Sequence, residues 1–119
     1  MAHILLAEDD NPLRTFLARG LKRAGHTVDH VPDGAAALAQ SRKAHYDLLL
    51  ADIVMPGLDG IELARLVAEE QPGIKVMFIT GFAAVAMQDD GFAPNRPKVL
   101  AKPFHLRHLI DEIDHLMTQ

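Results

Sequence analysis

The sequence contains no cysteine and no tryptophan, and it has a single tyrosine. Without thiols there is neither a disulfide framework nor a thiolate nucleophile. Long apolar runs are missing too. No stretch approaches the roughly 20 residues of a membrane span, and the apolar part of MAHILLAEDD is far too short for a signal peptide. Twelve Lys and Arg stand against sixteen Asp and Glu, for a net charge of -4. The basic residues are scattered, so no field attracts a nucleic-acid backbone and direct DNA binding is not expected. The phosphate-loop pattern GxxxxGK[ST] does not occur, and neither does CxxC or HExxH. These absences leave a soluble cytoplasmic protein as the expectation. At 119 residues, 49% of them hydrophobic, the chain has room for one domain with a sizeable core, spanning 1–119 with no output module attached.

What is present is an alternation. Ile4 to Ala7, Leu48 to Ala51, Val76 to Ile79 and Val99 to Ala101 are continuous apolar runs, and HTVDHV around Val28 alternates more weakly, as an edge strand does. Helix-period segments lie between them. The first opens near Pro12, repeats Leu13, Phe16, Leu17, Leu21 and Ala24, and closes at Gly25. The others are Gly34 to Lys43, Ile61 to Glu70, and Leu106 to Met117 with the stripe Leu106, Leu109, Ile110, Ile113 and Leu116. After Thr80 the segment GFAAVAMQDDGFAPNRP is interrupted by Gly91 and Pro94, which predicts a short or frayed element.

Apolar strands alternating with helices predict an α/β doubly wound parallel sheet covered on both faces, with right-handed crossovers. Ligands of such folds sit outside the carboxyl ends of the strands, where the winding direction switches. Glu8 and Asp9 fall at the end of the first strand, Asp52 at the third, Thr80 at the fourth and Lys102 at the fifth. Five polar groups are therefore expected on one rim. Three carboxylates within a few ångströms repel by about 4 kcal/mol per pair at an effective dielectric near 20. A hard divalent cation relieves this best, and Mg2+ takes oxygen ligands while keeping several waters. With no cysteine or histidine in the group, zinc and copper are disfavoured. Such a pocket suits a phosphoryl group, with Asp52 as nucleophile and Lys102 and Thr80 holding the charged oxygens.

In order and spacing, ILLAEDD, LLLADIVMPGLDG, FITG and VLAKPF resemble the receiver domain of two-component response regulators, the CheY-like superfamily, over the whole chain. The resemblance implies a flavodoxin-like five-stranded sheet in the order 2-1-3-4-5. It also implies phosphorylation on Asp52, with Asp9, Asp52 and the main-chain carbonyl of Val54 on Mg2+, Glu8 acting through water, and Thr80 and Lys102 sensing the phosphoryl group. The chain would catalyse only its own phosphorylation and slow dephosphorylation. Its phosphate would come from a histidine kinase or histidine phosphotransferase. More narrowly, ADIVMPGLDGIELAR, VMFITGFAAVA and VLAKPFHLR are similar to single-domain regulators of alphaproteobacteria. In unphosphorylated form that group is associated with directing a ClpX-type unfoldase and its protease to substrates. A phosphate shuttle or sink without protease output is the alternative, and in either case a monomer is expected.

One departure stands out. Receivers usually carry Tyr or Phe three residues before the fifth-strand lysine, and here the position is Val99, which leaves Phe82 as the nearest aromatic candidate for a substitute. Other classes fit less well. A flavin protein of this fold needs a neutral phosphate loop, whereas AEDDNP repels phosphate in the absence of metal. An Asp-dependent phosphatase needs a second acid where Val54 stands. Phe82, Val85, Met87 and Phe92 are read as core or as an interface. His105, His108, Glu112 and His115 are read as a solvated helix face. His26 and His30, four apart, are placed in one strand with both side chains on one side, too far apart to share a ligand.

Overall fold

A computed structural model describes residues 1–81 and 97–118. Among them five strands, β1 His3–Ala7, β2 Thr27–Val31, β3 Leu48–Asp52, β4 Lys75–Thr80 and β5 Lys98–Ala101, alternate with helices α1 Asn11–Arg23, α2 Gly34–Ser41, α3 Gly60–Glu70 and α4 Leu106–Met117. The strands form one parallel sheet in the order β2-β1-β3-β4-β5. The predicted elements Phe82, Val85, Met87 and Phe92, with Gly91 and Pro94, lie outside the described residues.

The pleat divides the core in two. Ile4, Leu6, Leu48, Leu50, Met77 and Ile79 face Leu17 and Leu21 of α1 and Leu109 and Ile113 of α4. The intervening residues Leu5, Leu49, Ala51 and Phe78 face Ala37 of α2 and Leu63 and Val67 of α3. β3 is buried along its whole length, which is why LLLA carries no alternation. Each fully buried leucine contributes about 1.5–3 kcal/mol. β2 is one of the two edge strands, and only Val28 in it is buried.

The helix ends follow local chemistry. Asp10 caps α1, its Oδ1 accepting from the Leu13 amide at 3.0 Å, and Asp33 and Asp59 cap α2 and α3 in the same way. Gly25, at φ 106°, ends α1 with the His26 amide donating to the Leu21 carbonyl. Three details differ from the sequence-based expectation. α2 stops at Ser41 rather than Lys43, because the Arg42 and Lys43 amides bond three residues back in a tighter turn. Phe16 is 55% exposed, because α1 buries the Leu17 and Leu21 row and turns Phe16 aside. His26 precedes β2 rather than lying in it. Its Nδ1 accepts from the Ala2 amide at 3.1 Å, and its ring is buried while His30 is exposed.

Since α1 and α4 cover one face and α2 and α3 the other, the winding reverses between β1 and β3. The crevice beyond their carboxyl ends is where a ligand site belongs.

Candidate functional site at the carboxyl rim

Glu8 follows the last residue of β1 and Asp52 is the last of β3, and their strands are hydrogen-bonded neighbours. Adjacent parallel strands ending together bring the two carboxylates side by side, and the turn after β1 adds Asp9. Ligand oxygens of Glu8, Asp9 and Asp52 lie within 4.8 Å of one another. Glu8 is fully buried, Asp52 nearly so, and Asp9 exposed.

Lys102, just past β5, reaches into this group. Its Nζ donates to Asp52 Oδ2 at 2.8 Å and lies 3.2 Å from Glu8 Oε1. The second contact is an ion pair without hydrogen-bond geometry, so Glu8 Oε1 is a buried oxygen with no hydrogen-bond donor. Glu8 Oε2 accepts from the Asp10 amide at 3.0 Å, and Asp52 Oδ1 accepts from the Val54 amide at 3.1 Å. Thr80 ends β4 fully buried, and its carbonyl accepts from the Lys102 amide at 2.8 Å. That bond ties the β4 and β5 ends into the same rim. The structure therefore brings Glu8, Asp9, Asp52 and Lys102 into one group and sets Thr80 on the same rim through its main chain.

The local backbone makes room for this. A Cβ on Gly60 would collide with the Asp52 carbonyl oxygen, so glycine there lets the start of α3 close against the end of β3. The Gly60 amide then donates to the Ile53 carbonyl at 2.9 Å. Gly57, at φ 76°, turns the intervening loop. Val54 projects outward with 52% of its surface exposed, an apolar neighbour beside Asp52.

The charges do not balance. Burial pushes the Glu8 carboxyl up to about 7; the Asp10 amide opposes this, the Asp52 charge adds to it, and Lys102 opposes it. Burial works against the Lys102 ammonium, but its hydrogen bond to Asp52 and the charges of Asp52 and Glu8 outweigh that, and its pKa lies above the ordinary lysine value. Among the described residues one ammonium thus serves three carboxylates. A buried oxygen without a donor, an all-oxygen donor set and a carboxyl held partly protonated at neutral pH fit a hard divalent cation.

Sequence reasoning missed Arg14. Its Nη1 donates to the Glu8 carbonyl at 3.0 Å and its Nε to His30 Nδ1 at 3.3 Å. A basic residue near the start of a helix opposes the macrodipole, and that was the available signal. The histidine face of α4 gathers no metal cluster among the described residues; Glu112 there pairs with Lys98 at 2.9 Å.

A parallel 2-1-3-4-5 sheet with an acid pocket, a threonine and a lysine on its carboxyl rim defines the flavodoxin-like class. Residues 4–114 match the response regulator receiver domain, and the chain belongs to that family. It is 54% identical, over 98% of both chains, to the response regulator receiver protein CpdR of Brucella abortus. It spans about half the length of curated relatives such as the transcriptional regulatory protein ResD of Bacillus subtilis. Among solved structures it superposes on the chemotaxis protein CheY4 of Vibrio cholerae with TM-score 0.87 at 26% identity, covering 97% and 98% of the two chains. The response regulator TrrA of Thermotoga maritima in complex with Mg(2+)-BeF gives TM-score 0.87 at 25% identity, covering 98% and 99%. Receiver domains are signalling modules that work with histidine kinases and phosphotransfer proteins. No described helix is long and apolar enough to cross a membrane.

Proposed function

We propose that this receiver accepts a phosphoryl group on Asp52 with Mg2+ and that its unphosphorylated state acts as an adaptor for a ClpX-type unfoldase. The observation that carries the first part is the cluster of Glu8, Asp9 and Asp52 within 4.8 Å, bridged by Lys102. Asp9, Asp52 and the main-chain carbonyl of Val54 would hold the ion, with Glu8 acting through water. When bound, the ion neutralises the carboxylates and the charged oxygens of the incoming group.

The chain's own residues do the rest. A carboxylate oxygen of Asp52 forms the new bond to phosphorus as the bond from phosphorus to the donor's leaving atom breaks, leaving an acyl phosphate. Lys102 Nζ, already on Asp52 Oδ2, turns to the phosphoryl oxygens, and the Thr80 hydroxyl donates to one of them. Acetyl phosphate with Mg2+ should add one hydroxylamine-labile phosphate by intact mass. Asp52→Asn should add none, and EDTA should prevent the gain. Phosphate on the Asp52→Asn protein would end this assignment.

The second part rests on likeness to CpdR. Phosphorylation matters to a partner only through the difference in affinity between the two states. Thr80 precedes the segment 82–97 in the chain and Lys102 precedes α4, so these stretches are the candidate readers. A degradation assay with ClpX-type unfoldase, peptidase and candidate substrates, run with unphosphorylated and phosphorylated protein, tests it. Asp52→Ala should stimulate constitutively. Equal degradation with and without this protein, alongside rapid phosphate exchange with a phosphotransferase, favours a phosphate shuttle.

A further inference from the structure

The sheet stops holding the chain one residue before the acid turn becomes functional. β1 ends at Ala7, and the Glu8 amide makes one more bond, to the Val31 carbonyl at 3.2 Å. The Glu8 carbonyl is beyond the ladder, and Arg14 Nη1 takes it at 3.0 Å. That carbonyl shares a rigid peptide plane with the Asp9 amide, so fixing its oxygen fixes how the chain enters Asp9. On the far side Asp10 is pinned twice, its amide on Glu8 Oε2 and its Oδ1 on the Leu13 amide. Asp9 is exposed, so core packing does not aim its side chain. The peptides on either side of it do.

Arg14 is itself held. Its Nε donates to His30 Nδ1 on the edge strand β2, a bond that requires this nitrogen to be unprotonated. Partial burial, then the charges of Arg14 and Lys22, hold the His30 pKa below its ordinary value, which keeps the acceptor available at neutral pH.

We propose that Arg14, braced by His30, is a positioning residue of the rim that aims the Asp9 carboxylate for divalent-cation binding. The proposal rests on the Mg2+ reading of the rim. Groups behind metal ligands typically change affinity by about 10–100-fold when lost. Here the tie is to the main chain of an adjacent residue, and we expect the low end of that range.

The test is an NMR-followed Mg2+ titration of the full chain, metal binding being read directly and without phosphorylation. Arg14→Met, which keeps an unbranched apolar stem and loses the donors, should weaken Mg2+ about tenfold. Arg14→Lys should recover part of the loss, since an ammonium reaches one acceptor but lacks the planar fork. His30→Leu should weaken binding less, and should add nothing in the Arg14→Met background, because both changes remove the same strut. In acetyl phosphate kinetics, the half-saturating Mg2+ concentration of Arg14→Met should rise more than the rate at saturation falls. A purely structural clamp would instead lower the melting temperature while leaving Mg2+ affinity in place. Wild-type affinity in Arg14→Met overturns the proposal, as does a full His30→Leu effect in the double variant. If Arg14→Met fails to fold, Arg14→Lys and His30→Leu decide by the same criteria. A wild-type chain that binds no Mg2+ would sink the reading of the rim itself, whereas wild-type binding matched by Arg14→Met sinks only the role of Arg14.

Discussion

Two polar clusters occupy opposite ends of the same sheet, and they are built on opposite terms. Toward the amino ends of β1 and β3, the Tyr46 hydroxyl donates to Asp29 Oδ2 at 2.6 Å and accepts from Gln40 Nε2 at 2.9 Å. His3 Nε2 lies 3.1 Å from the same Asp29 oxygen. The His3 and Tyr46 rings meet at 4.4 Å, and the His3 amide donates to Asp47 Oδ2 at 2.8 Å. Tyr46, Gln40, Asp29 and His3 each have a partner within the cluster. The Tyr46 hydrogen bond, ahead of the His3 contacts, draws the Asp29 carboxyl below its ordinary pKa. At the carboxyl rim the shift runs the other way, with Glu8 held up near 7 and one of its oxygens lacking a donor. A closed network that favours its carboxylate stabilises the fold. An acid cluster that disfavours one of its carboxylates is stable only in company, and it is poised for a ligand.

The largest effect expected from this contrast is on stability at the closed end. Tyr46→Phe leaves Gln40 and Asp29 without their shared hydroxyl and should cost about 1–2 kcal/mol in urea unfolding, the lower part of the usual range because Asp29 is partly exposed. It should leave Mg2+ binding untouched; a matching loss of Mg2+ affinity would break the separation of the two clusters. The same hydroxyl can be titrated cleanly, since Tyr46 is the only tyrosine and there is no tryptophan. Burial, then the Asp29 hydrogen bond, pushes its pKa up to about 12 from 10. Between these values the folded chain keeps a proton that the unfolded chain has lost, so stability falls as pH rises through that window. Absorbance at 295 nm in native and urea-unfolded protein should show the two midpoints, and coincident midpoints would refute the network.

At the rim, the next effect concerns phosphate lifetime. Val54 is apolar and exposed beside Asp52, and Phe82 lies outside the described residues; neither side chain can orient an attacking water. By similarity to the family, replacing them together with Val54→Asn and Phe82→Glu should speed loss of phosphate about tenfold, about 1.4 kcal/mol of barrier. An unchanged decay rate would discard that account. The smallest effect is Asp9→Asn in EDTA. Removing one of three clustered charges should raise the stability of the metal-free protein by about 0.5–1 kcal/mol, little because Asp9 is exposed and screened. A loss of stability would show the cluster already balanced.

Much of this architecture was legible in the residues. Apolar runs at Leu48 to Leu50 and Val76 to Ile79 could be little else than strands buried on both faces, and their ends placed Asp52 and Thr80 on the rim with Glu8 and Asp9. Lys102 followed from the fifth run. What stayed hidden depends on contacts between segments far apart in sequence. Beyond its unfavourable place near the start of α1, nothing local marks Arg14 as the partner of the Glu8 carbonyl, and nothing local marks Gly60 as the space beside Asp52 or Tyr46 as the donor to Asp29. Phe16 misled because helical spacing alone does not say which edge of an apolar stripe faces the sheet. His26 misled because the α1 turn, closed by Gly25, takes one residue more than periodicity suggests.

The central claim is that the rim is unsatisfied until a divalent cation binds. Urea unfolding followed by circular dichroism, with and without Mg2+, tests it on the wild-type chain and on Asp9→Asn. At a Mg2+ concentration about a hundred times its dissociation constant, the wild type should gain about 2.7 kcal/mol, and Asp9→Asn at the same concentration should gain far less. A wild-type curve indifferent to Mg2+, or an equal gain in the variant, would contradict it.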